Sequence, residues 1–236
     1  MTFESRASRL RAAVERFFQR RFTALTVVLI SLCIVANAIR PGDIHTIIVD
    51  AGFSVLLLFA VRTVGRGLRV TAIALAVPAV LGHWSLYFAE PLVPRAIVFL
   101  LSVVCMAFFT LVIVTAVLRD HEVTVDTMVG GVCAYFLLSI TWGNAYSLVE
   151  LLKPGSFVLS PALAAEVGWR PPTSPINPVL QYYSLTTLTT VGFGDITPLS
   201  RGARTLSVLE SVVGQLYLAV LIARLVGIHT ARSASS

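Results

Sequence analysis

The chain has 236 residues, of which 56% are hydrophobic and only 13% are charged. A soluble globular domain is about 45–50% apolar and about 25% charged, so this composition excludes an ordinary soluble domain and indicates an integral membrane protein. The formal net charge is +6, but most arginines lie at the ends of apolar runs, which is typical of membrane topology and gives no indication of nucleic-acid binding.

The N-terminal stretch combines an apolar stripe with arginines. Leu10, Val14 and Phe17 recur at helical spacing, with Arg16 nearer the other face. This pattern predicts a cytoplasmic amphipathic helix over residues 1–21 that lies on membrane lipids, with anionic lipids as its partners. A frayed basic tail that acts only as a topology signal is the alternative.

Six apolar segments follow, and their hydropathy and flanks predict six transmembrane helices. They cover residues 22–39, 44–61, 70–89, 96–118, 123–152 and 205–228. We therefore predict an all-α membrane protein with a four-helix domain over residues 22–118, a second domain over residues 119–228 and a short tail over residues 229–236.

The distribution of arginines sets the expected orientation. Six arginines lie within the first 21 residues, and with six crossings Arg62, Arg66, Arg69 and Arg119 fall on the same side. Because arginine-rich loops stay in the cytoplasm, both termini are expected on the cytoplasmic side of the plasma membrane.

A stretch too short to cross a bilayer lies between the fifth and sixth segments. Residues 153–178 hold six prolines and little periodicity, which predicts an outer loop over residues 153–176. Asn177 suits an N-cap and Pro178 suits the first helical position. The helix predicted over residues 177–189 has a regular part of about eleven residues, or about 16 Å, against a hydrocarbon core of about 30 Å, so it must be re-entrant.

The residues after this short helix read TVGFG, from Thr190 to Gly194. Irregular backbone survives at membrane depth only where it is buried in protein or lines a watery path. If the backbone twist alternates, which glycine permits, the carbonyl oxygens of Thr190, Val191, Gly192 and Phe193 form a column, and the Thr190 hydroxyl adds one more oxygen. Such oxygens can replace the water around a monovalent cation, and several copies must surround an axis, so a homo-oligomer is expected.

The motif 186-TTLTTVGFGD-195 resembles the selectivity-filter signature of potassium channels. The resemblance implies a homotetramer that binds permeant K+ at the oxygens of Thr190, Val191, Gly192 and Phe193, with Gly194 closing the filter and no organic cofactor. It also implies support for the filter from a set of neighbouring side chains. These are Tyr182, Tyr183, Thr189 and Asp195. Phe193 replaces the commoner tyrosine, so a bracing bond through a hydroxyl on that ring is absent.

One face of the sixth segment is expected to line the inner cavity. Gln215, Leu218 and Ile222 share this face at 100° per residue, and the resemblance implies its role. Gly214 falls where such channels often carry a hinge glycine, with a close helix contact as the alternative.

Two charged residues of the sixth segment lie off the cavity face. An acid within a membrane helix indicates a function. Glu210 is expected to have a partner behind the short helix, with a proton-sensing or cation-attracting role as the alternative. Arg224 is expected to snorkel or to pair, with Asp120 or Glu122 as partners.

The fourth segment carries arginine only at its ends, Arg95 and Arg119. The four-helix domain therefore resembles the sensor of voltage-gated channels without its gating charges, and only weak voltage dependence is expected.

The predicted function is passive, potassium-selective conduction. A non-selective cation channel and a non-conducting membrane subunit or scaffold are the alternatives. No catalytic set, metal-ligand cluster or phosphate loop occurs in the sequence, so an enzyme is not predicted.

Overall fold

The computed structural model describes residues 21–38, 43–85, 92–120, 124–167 and 178–233. Its elements in chain order are α1 (Arg21–Ala38), α2 (Asp43–Thr63), a 3-10 turn (Arg66–Leu68), α3 (Arg69–Ser85), α4 (Leu92–Arg119), α5 (Val125–Leu152), β1 (Phe157–Leu159), α6 (Pro161–Val167), α7 (Pro178–Leu188), β2 (Ile196–Pro198) and α8 (Arg201–Ser233). The predicted N-terminal helix, apart from Arg21, lies outside the described residues, and so do Asn177 and Glu122.

The chain is a mostly helical membrane protein. Four helical stretches in the described ranges are long and apolar enough to cross a membrane: Arg66–Ser85, Pro94–Arg119, Val125–Leu152 and Arg201–Gly227. A shorter apolar stretch, Phe22–Val35, lies in α1. Helix α2 also coincides with a predicted segment, although it is not among these four spans.

The first four long helices share one core with α5. Its fully buried residues include Leu25 of α1, Leu56 of α2, Ala72 of α3, Phe109 of α4 and Leu137 of α5. Only residues 120–124 separate α4 from α5, so the two helices pack along each other within one chain.

Helix α5 begins where a side chain caps it. The Thr124 hydroxyl accepts a hydrogen bond from the amide of Thr127 at 3.1 Å. An N-cap satisfies a donor that the first turn leaves without a partner, so the helix starts at Val125 rather than at the first apolar residue. Asp126 in that first turn accepts from the Thr23 hydroxyl at 3.0 Å, which connects α1 to α5.

The predicted outer loop contains regular structure, which hydropathy does not show. Strand β1 pairs antiparallel with β2, with Phe157 opposite Pro198 and Leu159 opposite Ile196. The short helix α6 follows β1. Alternate residues of β1 are buried, because its inner face completes a second core around Tyr146. This core supports the segment from α7 to β2.

Helix α8 is longer than its apolar part. It starts at Arg201, before the predicted start at residue 205, because the Ser200 hydroxyl accepts from the amide of Ala203 at 3.2 Å and caps the helix. It continues to Ser233, beyond the predicted end at residue 228. Arg201 and Arg204 extend the helix with polar residues that a hydropathy criterion leaves out.

Candidate functional site

Helix α7 ends immediately before the glycine-rich segment. It contains 11 residues, which at 1.5 Å per residue span about 16 Å, so it is too short to cross a bilayer core of about 30 Å. Its last turn tightens, because the amide of Thr190 donates to the Thr187 carbonyl at 3.0 Å. The Thr189 hydroxyl donates to the Leu185 carbonyl at 2.7 Å, so this side chain closes the end of α7.

The backbone after α7 alternates in the sign of φ. Thr190, Gly192 and Gly194 have φ values of 58°, 53° and 77°, whereas Val191 and Phe193 between them are not in the positive region. Glycine adopts these angles freely, but a β-branched residue at positive φ is an outlier that costs about 1–3 kcal/mol. The fold therefore holds Thr190 in a strained conformation. The alternation of φ that the expected carbonyl column requires is present from Thr190 to Gly194.

The amides and carbonyls of this segment have different environments. The amides of Val191 and Gly192 both donate to the Thr186 carbonyl, at 2.9 Å and 3.3 Å. Within the described ranges, no hydrogen-bond donor is bonded to the carbonyl oxygens of residues 190–193. The amides are thus used to fix the segment on α7, and a run of carbonyl oxygens is left for another ligand.

The base of the segment contacts α8. Gln215 Nε2 donates to Thr190 Oγ1 at 3.2 Å, so the predicted cavity face begins directly below the carbonyl run. Leu218 and Ile222 are exposed further along the same helix. In the single chain this face is open.

Tyr182 and Asp195 brace the other end of the segment. The Tyr182 hydroxyl donates to Asp195 Oδ2 at 2.8 Å. The Tyr182 ring lies parallel to that of Phe193, with 6.5 Å between centroids and 4° between planes.

Tyr183 faces a different side of α7, about 100° around the helix from Tyr182. Its ring packs edge-on against Tyr146 and Phe157, and its hydroxyl lies 2.7 Å from Ser207 Oγ. The support that the resemblance implied for this residue is therefore indirect: Tyr183 fixes α7 against its neighbours, whereas Tyr182 makes the contacts with Phe193 and Asp195.

The comparisons with known proteins agree with this geometry. Residues 155–230 match the family described as an ion channel, whose members carry a pore loop between two membrane helices. This segment is an ion-channel domain. The family resemblance inferred from the motif is confirmed over the matched residues, and ion channels are not a class of enzyme. No curated protein and no solved structure matches the chain.

The match covers part of the fold. It begins in the turn before β1 and includes α7, the glycine-rich segment and most of α8, but it does not reach α1 to α5. Helix α5 lies outside the matched residues but contacts both α7 and α8.

Glu210 connects α5, α7 and α8. The residue is fully buried, with Oε1 2.5 Å from Ser184 Oγ of α7 and Oε2 2.5 Å from the Tyr146 hydroxyl of α5. Ser184 also lies 2.8 Å from the Ser139 carbonyl oxygen. The Ser184 and Tyr146 hydroxyls bond to the two oxygens of one side chain, so this cluster holds α7 against α5 and α8. The partner expected behind the short helix is Tyr146 of α5, and Ser184 is a further partner on the short helix itself.

Sequence reasoning missed Glu150, which organises the outer loop of the ion-channel domain. Its two carboxylate oxygens accept from the amides of Gly155 at 2.8 Å and Phe157 at 3.0 Å. The side chain is buried although it lies at the end of a membrane helix. The available signal was an acid one turn before the Pro154-Gly155 pair, where a carboxylate can accept amides that a tight turn exposes.

Arg224 connects the ion-channel domain to the end of α4. Its guanidinium donates to the main-chain carbonyls of Val117 and Asp120. The final carbonyls of a helix lack partners within the helix, so a cation at this position satisfies them and interacts favourably with the helix dipole. The pairing expected for Arg224 is thus made with carbonyl oxygens.

Proposed function

We propose that the chain forms a homotetrameric, potassium-selective channel in the plasma membrane. The observation that carries this proposal is the alternation of φ at Thr190, Gly192 and Gly194, together with carbonyl oxygens that accept no bond within the described chain. Four such segments around an axis would supply rings of neutral oxygen dipoles, which can replace the hydration shell of K+.

The exposure of apolar side chains supports an assembly of several copies. Val191 is 54% exposed and Phe193 is 69% exposed in the single chain, although both belong to the carbonyl run. Irregular backbone at membrane depth must be covered by protein or line water. Neighbouring copies would cover these side chains and place the carbonyl oxygens at the shared axis.

The proposed topology has six crossings, with α7 and the segment after it as a re-entrant loop and both termini in the cytoplasm. Helices α1 to α4 would form a peripheral domain. Helix α4 contains no charged residue between Arg95 and Arg119, so it offers no gating charge within the membrane. We propose that opening does not depend steeply on voltage.

Potassium flux into liposomes tests conduction. Gly192→Ala should abolish flux, because alanine disfavours the φ of 53° at this position. Gly155→Ala is the matched control: Gly155 also has a positive φ, of 82°, and neither glycine has an atom within 4 Å of an added Cβ. The two variants carry the same kind of backbone strain, so flux that is lost in both, or kept in both, contradicts the assignment.

Reversal potentials in mixed K+ and Na+ test selectivity. A reversal potential near the K+ equilibrium value supports the proposal, whereas one near zero in opposing K+ and Na+ gradients identifies a non-selective cation channel.

Native mass spectrometry tests assembly. Four copies of the 25.5 kDa chain are expected, and a monomer in lipid would contradict the mechanism.

A further inference from the structure

An apolar groove lies on the outside of the four-helix domain, between α2 and α3. Its volume is about 450 Å³. Leu57 and Ala76 are buried at its floor, and Leu58, Ile73 and Leu81 are exposed along its sides. The main packing partners of α3 are α2 and α4, so the groove lies away from the ion-channel domain.

The groove has the length of an acyl chain in one leaflet. Its α2 wall runs from Ser54 to Arg62. At 1.5 Å per residue this wall is about 12 Å long, close to the ~15 Å that one leaflet contributes to a hydrocarbon core of about 30 Å. Ser54 presents little polarity to the groove, because its hydroxyl donates to the Asp50 carbonyl and accepts from Trp84 Nε1.

One end of the groove is strongly positive. Arg62 lines this end. The exposed side chains of Arg66, in the 3-10 turn, and Arg69, the first residue of α3, follow in the connection between the two helices. Residues 62–69 contain no acidic residue. The Arg62 guanidinium lies 5.6 Å from the centroid of the Phe59 ring, where it is held at the mouth of the groove.

We propose that this groove binds an anionic phospholipid, with one acyl chain between α2 and α3 and the phosphate at Arg62, Arg66 and Arg69. An apolar groove as long as one leaflet is thick, with arginines at one end, is complementary to the acyl chain and the negative headgroup of such a lipid. The proposal concerns a site outside the ion-channel domain and does not depend on ion selectivity.

Native mass spectrometry of the full chain tests the proposal with two lipids of equal chain length, phosphatidylglycerol and phosphatidylcholine. The protein should retain phosphatidylglycerol preferentially. Arg62→Gln should lower that retention about fivefold, since each arginine near a lipid surface contributes about that factor. Arg119→Gln is the matched control, because Arg119 is also exposed at a helix end but lies outside the groove.

A second variant separates the acyl chain from the headgroup. Ile73→Trp adds bulk at the exposed side of the groove and should reduce the retention of phosphatidylglycerol while all three arginines remain. Equal retention of the two lipids overturns the proposal, and so does an equal effect of Arg62→Gln and Arg119→Gln. Full retention by Ile73→Trp also overturns it. Disulfide cross-linking of Val77→Cys between copies would show that a second chain covers the groove, which again overturns it.

Discussion

The carbonyl oxygen of Leu188 would lie only 2.6 Å from a Cβ added at Gly214. The same oxygen accepts a hydrogen bond from the Tyr135 hydroxyl at 2.9 Å. It belongs to the last residue of α7, directly before the segment with alternating φ, so it cannot yield without displacing that segment. The geometry favours the close-contact interpretation of Gly214 over a hinge.

Gly214→Ala should therefore destabilise the protein and reduce potassium flux. Overpacking against backbone costs about 1–3 kcal/mol, and the displaced atom adjoins the proposed filter. Thermal unfolding in detergent and liposome flux provide the measurements. Gly202→Ala is the control, since it lies in the same helix with no atom within 4 Å of an added Cβ. A Gly214→Ala protein with unchanged stability and altered opening would instead favour a hinge.

Removal of the Glu210 carboxylate should loosen α7. Glu210→Ala removes the acceptor of the Tyr146 hydroxyl, whereas the Ser184 hydroxyl keeps the Ser139 carbonyl oxygen as an acceptor. An unsatisfied buried hydroxyl costs about 1–3 kcal/mol. The unfolding temperature should fall, and flux should fall with it. Glu210→Gln keeps one acceptor oxygen and should recover part of both quantities.

A double-mutant cycle isolates the Glu210–Tyr146 bond. Tyr146→Phe and Glu210→Gln should be non-additive by about 0.5–3 kcal/mol, because the two side chains share one hydrogen bond. Leu58→Ala, at an exposed position of α2, provides the independent site for comparison. Strict additivity of the first pair would show that the contact contributes nothing.

Some of this arrangement was accessible from the sequence because local rules decide it. Pro178 predicted the first residue of α7, and the glycines at alternate positions permitted the alternation of φ on which the expected carbonyl column depends. The position of Glu210 off the cavity face predicted a partner behind the short helix, because helical angle alone separates the two sides of α8. In each case the residues that decide the local structure lie within a few positions of one another in the sequence.

Other features depend on contacts between distant segments. Strand β1 has three residues and no periodic signal, and its partner β2 comes almost forty residues later. Tyr182 and Tyr183 are adjacent and alike, so the sequence could not show which one contacts Asp195 and which one packs behind α7. Gly214 fits a hinge and a close contact equally well until the position of Leu188 is known.

The two adjacent tyrosines provide a matched test of filter support. Tyr182→Phe removes the donor to Asp195 but keeps the ring beside Phe193. A hydrogen bond to a charged group contributes about 1.5–3 kcal/mol, and its loss at the outer mouth should lower the permeability ratio of K+ to Na+ and make conduction fail sooner in low K+.

Tyr183→Phe is the control for this change. It also removes one tyrosine hydroxyl bond, to Ser207, but on the side of α7 away from Phe193. Its effect should appear in the unfolding temperature and leave the permeability ratio unchanged. Equal changes of selectivity in both variants would exclude a specific role for the Tyr182–Asp195 contact.

The charge pattern of α4 predicts that the open probability of the proposed channel depends only weakly on voltage. A gating charge that crosses the membrane contributes about 2.3 kcal/mol per 100 mV, so a channel with several such charges changes its open probability steeply. The α4 sequence from Leu92 to Arg119 has arginine only near its ends, at Arg95 and at Arg119 itself. Single-channel recording in planar bilayers should therefore show an open probability that changes only slightly between about −100 and +100 mV. Neutralising Arg95 with glutamine should leave this dependence unchanged. A steep dependence in the unmodified protein that disappears in Arg95→Gln would locate a gating charge at the end of α4 and contradict the proposal.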